Sequence, residues 1–491
     1  MESSSSLETG NPSTIVVGGG IAGLAAAYYL KKKAPRTRVA VLEAGSRWGG
    51  KITTARVPFA AGEFIVEGGP DTFLATKPYA VDLCKELGLA ERLHGTNAQT
   101  KNTYVLHKGR LLPLPDGLAM MMPADVQSIL QSELLSWPAK LRMGIDFILP
   151  VRRGNKDESL GAFVSRRLGR SAYENLIEPL TSGIYAGNGD RLSLASTFPY
   201  LRDLEREYGS IGRGALALRA KRAANGQNAQ RSRSAFLTPT TGLAEIIEAL
   251  IPRLKAEGVE LRLRTRVRAI MQRRWSFDLA LADGSRLESN ALILATPAPV
   301  SGSIVYVLDP DLGRALRSIQ YSDTATISLA YHQADVPRAL DGYGYVIPRR
   351  EGRRALACTW TSTKFPHRAP SGYALIRVFV GRAGEDLPLD EAELLALAKD
   401  ELRMTLGIQA GPLISRVYRW NEAMPQYNLG HPETLSKIDE RLARHPRLAL
   451  AGNGYRGIGI PDCIHSGELA AESVLKSATV RAGIEPALTR S

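Results

Sequence analysis

The chain has 491 residues, of which 44% are hydrophobic, and a formal net charge of +14. A chain of this length is too long for one simple domain and normally folds as two or three. The positive charge favours an anionic partner, such as an acidic substrate or anionic lipid, although a basic solvated surface explains it equally well. Nucleic acid is excluded as a partner because no zinc-ligand spacing, RNA-binding signature or aromatic platform accompanies the charge.

The N-terminal residues 1–13 are polar and rich in serine, and we expect a flexible tail rather than a signal peptide. No run of apolar residues approaches the length of about 18 that a membrane-spanning helix needs. The three cysteines, Cys84, Cys358 and Cys463, are far apart and match neither a metal-binding nor a disulfide pattern. This usage is typical of a reducing compartment, so the sequence predicts a cytoplasmic protein without a metal site.

A strand, a glycine-rich turn and the start of a helix follow in residues 14–24 (TIVVGGGIAGL). Glu43 comes twenty residues after Gly23, at the end of a second apolar strand. This order is the dinucleotide-binding fingerprint, in which the glycines allow a tight turn and the helix N-terminus faces the phosphates. Glu43 can accept hydrogen bonds from both ribose hydroxyls. The predicted phosphate site consists of Gly18, Gly19, Gly20, Ile21, Ala22 and Gly23.

A second glycine turn follows the acid, in residues 44–51 (AGSRWGGK). A nicotinamide-dependent dehydrogenase does not need this turn. A protein that holds FAD uses such a loop to cover the pyrophosphate, which Arg47 or Lys51 can neutralise. The strand at 64–67 then ends in small residues that can pass close to a flat ring. Together these segments resemble the superfamily of FAD-containing amine oxidases and porphyrinogen oxidases.

The next part of the chain changes character. The stretch 104–112 predicts a hairpin, and the segments 118–122, 126–135 and 141–149 predict short helices separated by prolines. Apolar residues on and beside these helices lie close to arginines in the sequence. Two interpretations stay open, a surface that rests in a membrane interface and a small helical core.

Later segments return to the first sheet and also form a second one. A strand predicted at 259–263 and a buried strand that runs into a turn within 292–299 would complete the nucleotide-binding sheet, and the block 448–475 returns to it. Between them, residues 301–440 alternate apolar and polar side chains, which is typical of a separate antiparallel sheet.

The predicted fold class is therefore an α/β Rossmann-like FAD-binding domain interwoven with an α+β substrate domain, which contains an antiparallel sheet, and with a mostly helical subdomain. The chain weaves between these domains, so that no single cut separates them. The predicted division is a tail at 1–13; a FAD-binding domain at 14–95, 236–300 and 441–480; a helical subdomain, a candidate for membrane contact, at 96–225; a linker at 226–235; a substrate-binding domain at 301–440; and a tail at 481–491.

Four segments carry a more specific resemblance. They are residues 69–74 (GPDTFL), residues 181–187 (TSGIYAG) with the nearby 192–193 and 197–199, residues 419–427 (RWNEAMPQY) and residues 455–467. On them the chain resembles the porphyrinogen oxidases of haem synthesis, FAD enzymes that act on protoporphyrinogen IX or coproporphyrinogen III. The resemblance covers residues 14–476. It implies that a helix beginning near Asp462 points its N-terminus at the flavin pyrimidine ring, where the helix dipole stabilises the charge of the reduced flavin.

The resemblance also implies the residues of both sites. FAD would be held by the first turn and Glu43 together with Ala44, Arg47, Gly50, Lys51, Gly69, Pro70, Asp71, Thr72, Val267, Trp420, Ile458, Gly459 and Ile460. The tetrapyrrole pocket would be lined by Gly183, Tyr185, Val346 and Trp360. Within these sets, the backbone of Val267 would meet the adenine, and Trp420 would lie near the isoalloxazine. Because no cysteine lies between residues 420 and 455, the flavin should be noncovalent.

One departure from the family pattern concerns substrate recognition. In many protoporphyrinogen oxidases an arginine before the tyrosine of the 104 strand holds a substrate propionate, and here that position is Thr103. Lys77, Lys101 or Asn102 could bind a carboxylate instead, with lysine acting as a point charge. The surrounding segments look more like the bacterial branch that oxidises coproporphyrinogen III, which carries four propionates rather than two. The net charge does not decide between the two substrates.

The reaction that the resemblance implies is hydride transfer from a bridge carbon of the substrate to flavin N5, followed by reoxidation with dioxygen to give hydrogen peroxide. Three rounds remove six electrons. We identify no catalytic acid or base, since the contribution of the protein is orientation and flavin tuning.

Two alternatives stay open, an FAD-dependent amine or polyamine oxidase and a flavoprotein that binds porphyrin without turnover. An anionic membrane surface, which would make the protein peripheral on the cytoplasmic membrane face, and a homodimer are also left open.

Overall fold

The structure is a computed structural model that describes residues 13–100, 102–115, 125–224, 234–274, 276–387 and 390–482. Within these residues the strands are β1 (Ser13–Val17), β2 (Arg38–Leu42), β3 (Thr54–Phe59), β4 (Gly62–Glu67), β5 (Phe73–Leu74), β6 (Leu93–Gly95), β7 (Asn102–His107), β8 (Arg110–Pro113), β9 (Phe236–Pro239), β10 (Glu260–Arg262), β11 (Val267–Gln272), β12 (Phe277–Leu281), β13 (Arg286–Ser289), β14 (Ala291–Leu294), β15 (Tyr321–His332), β16 (Gly342–Val346), β17 (Ala355–Trp360), β18 (Tyr373–Val380), β19 (Ile414–Pro425) and β20 (Leu448–Leu450).

The helices of the same residues connect these strands or form a region of their own. They are α1 (Ile21–Lys33), α2 (Pro78–Glu86), α3 (Val126–Gln131), α4 (Trp137–Gly144), α5 (Leu160–Leu168), α6 (Arg170–Ala172), α7 (Glu178–Tyr185), α8 (Leu194–Thr197), α9 (Pro199–Tyr208), α10 (Ile211–Ala224), α11 (Ala244–Ala256), α12 (Ala298–Val305), α13 (Pro310–Arg317), α14 (Thr361–Lys364), α15 (Glu391–Leu406), α16 (His431–Leu442) and α17 (Ile460–Ala482).

A five-stranded parallel sheet forms the first layer, with the strand order β10-β2-β1-β14-β20. β1 ends in three apolar residues because both of its faces are covered, so that Val16 packs in the core with α1 while Ile15 packs in the core on the opposite side. The strand, turn, helix and second strand predicted for residues 14–42 are present. Strands from three distant parts of the chain complete the sheet, in agreement with the predicted weaving.

Helices α1 and α17 pack tightly side by side on this sheet. Small residues allow the contact, since a Cβ atom on Gly467 would lie 2.3 Å from the carbonyl oxygen of Ala22. Both helices follow strands of the parallel sheet, so both begin at the edge where the strands end. Ligands of open α/β sheets bind at this edge.

The second layer is a seven-stranded sheet with the order β19-β15-β18-β17-β16-β7-β8. Its pairs are antiparallel except for β16 and β7, which run parallel. One face packs Tyr104, Tyr345 and Trp360 under α15. The hairpin β7-β8, which the sequence analysis grouped with the following helices, forms an edge of this sheet, because β7 bonds to β16, a strand far away in the sequence.

Helices α3 to α10 enclose a third core, which contains Phe163, Tyr173 and Leu176. Arg167 is fully buried beneath them and pairs with Asp146 at 2.5 Å. The predicted helix at 118–122 and most of the linker at 226–235 lie outside the described residues. Within the part of the chain that the structure describes, no helix is both long and apolar enough to cross a bilayer.

The same helical region also exposes a row of apolar side chains. α4 and the 3-10 turn after it present Trp137, Leu141, Ile145 and Ile148, which are 65%, 72%, 41% and 79% exposed. Their spacing of four, four and three residues places them on one side of a continuous helical path. The region therefore has both features that the sequence analysis considered, a helical core and an exposed apolar surface.

Candidate functional site

The glycine turn after β1 leaves room for phosphates at the start of α1. Gly18 has a φ of +113°, a conformation that favours glycine, and a Cβ atom on Gly23 would lie 1.9 Å from the Gly18 carbonyl oxygen. The space in front of Gly20 is open, since among the described residues no atom beyond its neighbours lies within 4 Å of its Cβ position. No side chain caps the helix that Ile21 and Ala22 begin. This end can therefore offer N–H groups to a pyrophosphate.

Glu43 joins the first and second glycine turns. Its carboxylate accepts hydrogen bonds from the backbone N–H groups of Gly19 and Gly45, each at 2.7 Å. The next backbone bonds, from Arg264 to the Gly45 carbonyl and from Thr265 to the Glu43 carbonyl, bring the start of β11 to the same place. Val267, the first residue of β11, lies two residues after Thr265, which bonds to the predicted ribose acid, so its predicted contact with the adenine fits this position.

The two basic residues of the second turn have different environments. Arg47 donates to the carbonyl oxygens of Gly50 and Ile52, at 2.5 and 3.1 Å, and so holds its own loop closed. Lys51 is held near the Tyr321 ring, 5.8 Å from its centre, and burial lowers the pKa of Lys51 to about 8. Among the described residues no carboxylate forms an ion pair with Lys51. A phosphate group would supply that missing charge, so Lys51 fits the role of neutralising cation better than Arg47 does.

The loop from Gly68 to Thr72 is fixed to the second sheet by its carbonyl groups. The Gly68 carbonyl accepts hydrogen bonds from the indole of Trp420 and from the hydroxyl of Thr326, both at 2.8 Å. The Gly69 carbonyl accepts one from Arg377. On the other side, a Cβ atom on Gly69 would lie 1.9 Å from the Lys51 carbonyl oxygen. The loop at Gly69 and the second glycine turn at Lys51 are therefore in direct backbone contact, which a side chain at Gly69 would prevent.

Asp71, in the same loop with Pro70, carries a partly buried charge. Its carboxylate lies 3.1 Å from the ammonium of Lys364 and accepts a hydrogen bond from Thr72 at 3.2 Å. Burial on its own would raise the pKa of Asp71, but Lys364 and Arg377 outweigh it and lower the pKa to about 2. Asp71 is therefore an anion that anchors the loop.

The C-terminal block presents the start of α17 to the same region. The helix begins at Ile460, two residues before the predicted start, directly after Ile458 and Gly459. Asp462 accepts a hydrogen bond from the Gly459 N–H at 3.2 Å, which orders the first turn. Lys77, predicted to bind a substrate carboxylate, pairs with Asp462 at 2.6 Å. The first turn of α17 is therefore tied to the segment that precedes α2.

Most of the predicted substrate residues meet at one place. The Val346 side chain lies 3.7 Å from the Cβ position of Gly183, and Val346 and Ile458 pack against the cluster that contains Tyr185. Thr103 pairs with Gly344, two residues from Val346, and shares its side of the sheet. Residues predicted for the tetrapyrrole and a residue predicted for the flavin thus pack against the same hydrophobic cluster.

Trp360 does not join this group. It is fully buried and packs against Tyr104 and Tyr345, with ring centres 5.6 and 6.5 Å apart. Val346 pairs with Ala357, and side chains alternate along β17, so Trp360 points to the opposite face of the sheet. This burial argues against the predicted place of Trp360 beside a macrocycle. Lys101 lies outside the described residues.

Sequence reasoning missed the side chains that hold the 68–72 loop. Thr326, Lys364 and Arg377 were not among the predicted site residues, although they bond directly to that loop. A signal was available for Arg377, because an arginine in the middle of the apolar strand YALIRVFV is a buried charge that requires a partner. The sequence of the strand does not show which residue is the partner of Arg377.

This arrangement defines a class. A flavin-dependent oxidoreductase combines a sheet edge with room for a dinucleotide, a loop packed between two domains and a helix N-terminus that faces the same space. This chain has all three features, and the residues present fit FAD. The model of the family described as flavin containing amine oxidoreductase matches residues 21–475. The chain belongs to this family.

Named relatives and a solved structure agree with that assignment. The chain is 34% identical over 476 residues to the coproporphyrinogen III oxidase of Bacillus subtilis (strain 168), covering 96% of this chain and 99% of the relative. It is 31% identical over 485 residues to the protoporphyrinogen oxidase of Homo sapiens, covering 94% and 98%. A crystal structure of a protein from Exiguobacterium sp. 255-15 matches with 32% identity and a TM-score of 0.82, over 95% of this chain and 99% of that one.

Proposed function

We propose that this protein oxidises a porphyrinogen to the corresponding porphyrin, a step of haem biosynthesis, with dioxygen as the electron acceptor. The balanced reaction consumes three dioxygen molecules and releases three molecules of hydrogen peroxide as six electrons and six protons leave the macrocycle. The observation that supports the proposal is the hydrophobic cluster around Tyr185, against which both Val346 and Ile458 pack, with Val346 also next to Gly183. Macrocycle residues and a flavin residue on one cluster would suit direct hydride transfer, which needs the two reactants side by side.

Bound FAD would supply the acceptor for two electrons at a time and return them to dioxygen. The chain contributes position and charge. The FAD residues that we propose are those of the two glycine turns, the loop from Gly69 to Thr72, Val267, Trp420 and the start of α17. Lys51 would face the pyrophosphate, and the N-terminus of α17 would favour negative charge on the pyrimidine. Burial raises the pKa of Tyr185 well above its usual value, so the pocket presents a neutral phenol to the substrate.

We favour coproporphyrinogen III over protoporphyrinogen IX as the substrate. The chain has Thr103 where many protoporphyrinogen oxidases have an arginine for a propionate, and Thr103 lies on the same face of the sheet as Val346. The relative named coproporphyrinogen III oxidase is also somewhat more similar, at 34% identity against 31%. A substrate with four propionates would use several cations at the pocket rim, and Lys77 is one of them.

The decisive experiment mixes the FAD-loaded protein in air with each porphyrinogen, prepared anaerobically, and follows porphyrin fluorescence and hydrogen peroxide. We expect turnover of both substrates, with the larger kcat/KM for coproporphyrinogen III. The reverse preference would assign the protein to protoporphyrinogen IX. Turnover of neither, together with oxidation of spermine, would replace the proposal with an amine oxidase. Porphyrin binding without peroxide release would make it a binding protein.

We also propose that the helical region rests on an anionic membrane surface. The apolar row Trp137, Leu141, Ile145 and Ile148 is exposed as a group, and Lys140 lies beside it, with its ammonium 4.7 Å from the centre of the Trp137 ring. A row of apolar side chains with a cation at its border is the pattern of a helix that lies in the interface plane. The protein would then be peripheral rather than membrane-spanning.

A further inference from the structure

Residues 453–457 lie in the loop between β20 and α17. The loop leads directly into Ile458 and Gly459, which precede the first turn of α17. Backbone N–H and C=O groups in a partly buried loop of this kind need partners from elsewhere in the chain. Three of them, at positions 453, 455 and 457, find those partners in two side chains, Tyr427 and His431.

Tyr427 spans this loop with its hydroxyl group. The hydroxyl donates to the Asn453 carbonyl at 2.6 Å and accepts from the Gly457 N–H at 2.9 Å, so one oxygen atom joins both ends of the loop. Tyr427 is fully buried, and burial raises the pKa of its phenol well above the usual value. The group therefore stays neutral and keeps the proton that the bond to Asn453 requires.

His431 supports Tyr427 from behind. The two rings are stacked, with centres 4.2 Å apart and an angle of 13° between their planes. The Nε2 atom of His431 lies 2.9 Å from the Tyr455 carbonyl and donates to it, because a carbonyl oxygen can only accept. Burial lowers the pKa of His431, so the ring stays neutral at pH 7. The two side chains thus hold three alternate residues of the same loop.

The segment that contains Tyr427 is also bonded to the proposed macrocycle pocket. Gln426 donates through its Nε2 atom to the Tyr185 carbonyl at 2.9 Å. The Tyr427 carbonyl accepts from the Ser193 N–H at 2.8 Å. The rings of Tyr185 and Tyr427 belong to the same hydrophobic cluster, with their centres 6.2 Å apart. Tyr427 therefore adjoins the proposed pocket on one side and holds the loop before α17 on the other.

We propose that Tyr427, supported by His431, is a positioning residue that fixes the start of α17 relative to the macrocycle pocket. This inference rests on the proposed function, in which the N-terminus of α17 stabilises reduced FAD and Tyr185 lines the pocket. Hydride transfer slows steeply when donor and acceptor are misplaced, so a link between the two sites acts on the rate rather than on substrate binding. Tyr427→Phe separates the two roles of the residue, because it keeps the ring in the core and removes only the hydroxyl.

The first test uses no porphyrinogen. We expect the equilibrium constant for reduction of the bound FAD, measured against a redox dye, to fall about threefold or more in Tyr427→Phe, because the N-terminus of α17 is held less firmly. Tyr345→Phe is the matched control, since Tyr345 is also buried and also loses a hydroxyl bond, at 2.7 Å to Thr405, but lies under α15. Its FAD equilibrium should equal that of the wild type. Equal changes in both variants, or no change in Tyr427→Phe, would overturn the proposal.

The second test measures the reaction with coproporphyrinogen III. In Tyr427→Phe we expect kcat, and the anaerobic rate at which the flavin absorption bleaches in a single turnover, to fall about tenfold, while KM changes less than about twofold. A residue that served stability alone would lower Tm and leave both rates unchanged, and that result would contradict the proposal. If the wild type oxidises neither porphyrinogen, the proposed function fails, and the FAD equilibrium still decides whether Tyr427 positions α17.

A second variant covers the case in which Tyr427→Phe does not fold. His431→Phe keeps a flat ring behind Tyr427 but removes the donor to the Tyr455 carbonyl. We expect the FAD equilibrium and kcat to fall in the same direction by a smaller factor, because the Tyr427 hydroxyl still joins the two ends of the loop. Values equal to those of the wild type would overturn the proposal.

Discussion

Lys77 and Asp462 form an ion pair of 2.6 Å between the residue before α2 and the first turn of α17. The lysine side chain is 44% exposed and the aspartate 16%, so solvent and a solute can reach the pair. Asp462 also accepts a hydrogen bond from the Gly459 N–H. A propionate that reached this pair would compete with Asp462 for the Lys77 ammonium, and this competition would link substrate recognition to α17, the helix that we propose faces the flavin.

We expect Lys77→Met to raise KM for coproporphyrinogen III several-fold while FAD content and Tm change little. An ion pair with one half-exposed partner contributes only about 0–1 kcal/mol to stability, whereas loss of a cation removes a carboxylate contact. Steady-state kinetics and thermal unfolding measure the two effects. Lys85→Met is the control, since Lys85 is an exposed lysine in α2, the helix that Lys77 precedes, and pairs with Asp82. An unchanged KM would mean that Lys77 serves only the ion pair.

The bond between the Trp420 indole and the Gly68 carbonyl gives a second prediction. Trp420→Phe keeps an aromatic ring but removes one of the two donors to this carbonyl, and Thr326 keeps the other. We expect a loss of about 1 kcal/mol in the free energy of unfolding and faster release of FAD, followed by flavin fluorescence. Trp137→Phe, at a side chain that is 65% exposed, should leave both unchanged. Equal FAD release from the two variants would contradict a role of Trp420 in holding the loop.

Asp71 predicts how stability depends on pH. Its pKa is about 2 in the folded protein against 3.8 for the ordinary group, because Lys364 and Arg377 outweigh the effect of burial. A carboxyl group with a lowered pKa stabilises the folded state above pH 4, and this contribution, about 2 kcal/mol, is lost as the pH falls from 4 to 2. Asp71→Asn should therefore flatten the fall in stability across this window, measured by urea unfolding at several pH values. The exposed Asp386→Asn should not, and equal curves for both would refute the assignment.

Local sequence patterns predicted the features that short segments determine. The hairpin predicted at 104–112 turns at Lys108 and Gly109, which both have positive φ angles. The turn from Gly18 to Gly23 is of the same kind, because its conformation is set by missing side chains within a few residues. Such features need no knowledge of distant parts of the chain.

The residues that were misplaced or missed depend on contacts between distant segments. Alternation along β17 shows that Trp360 and Ala357 point to opposite faces, but it does not show which face meets the pocket. Arg377 is recognisable as a buried charge, yet its partners come from β4 and the loop after it. The edge position of β7 depends on pairing with β16. In each case the deciding contact is long-range and leaves no local trace.

Thr103 provides a prediction about substrate choice. A guanidinium at this position would add a fixed, two-pronged site for one carboxylate, which matters most for a substrate that has only two propionates. We expect Thr103→Arg to raise kcat/KM for protoporphyrinogen IX about tenfold relative to that for coproporphyrinogen III, as one charged hydrogen-bonded contact allows. Thr103→Gln, of similar reach without charge, is the control. If Thr103→Arg changes both substrates by the same factor, Thr103 does not set the preference.

The exposed apolar row of α4 predicts binding to vesicles. Flotation with vesicles of anionic phosphatidylglycerol should recover the wild-type protein, and vesicles of neutral phosphatidylcholine should recover less, because Lys140 borders the row. Replacing Trp137, Leu141 and Ile148 by serine should lower the binding constant at least about tenfold, since three large apolar side chains would no longer leave water. Tm should change little, because these side chains are 65%, 72% and 79% exposed in the folded protein.

A second triple variant tests whether the position of the row matters. Val307, Met404 and Leu469 are 63%, 51% and 50% exposed but lie on other helices and loops, outside the helical region. Their replacement by serine also removes three exposed apolar side chains, so nonspecific hydrophobic adsorption to vesicles would decrease in both variants. We expect only the replacement of Trp137, Leu141 and Ile148 to reduce the amount of protein recovered with anionic vesicles. Equal losses, or equal binding of the wild type to anionic and neutral vesicles, would mean that the row is an ordinary surface and not a membrane contact.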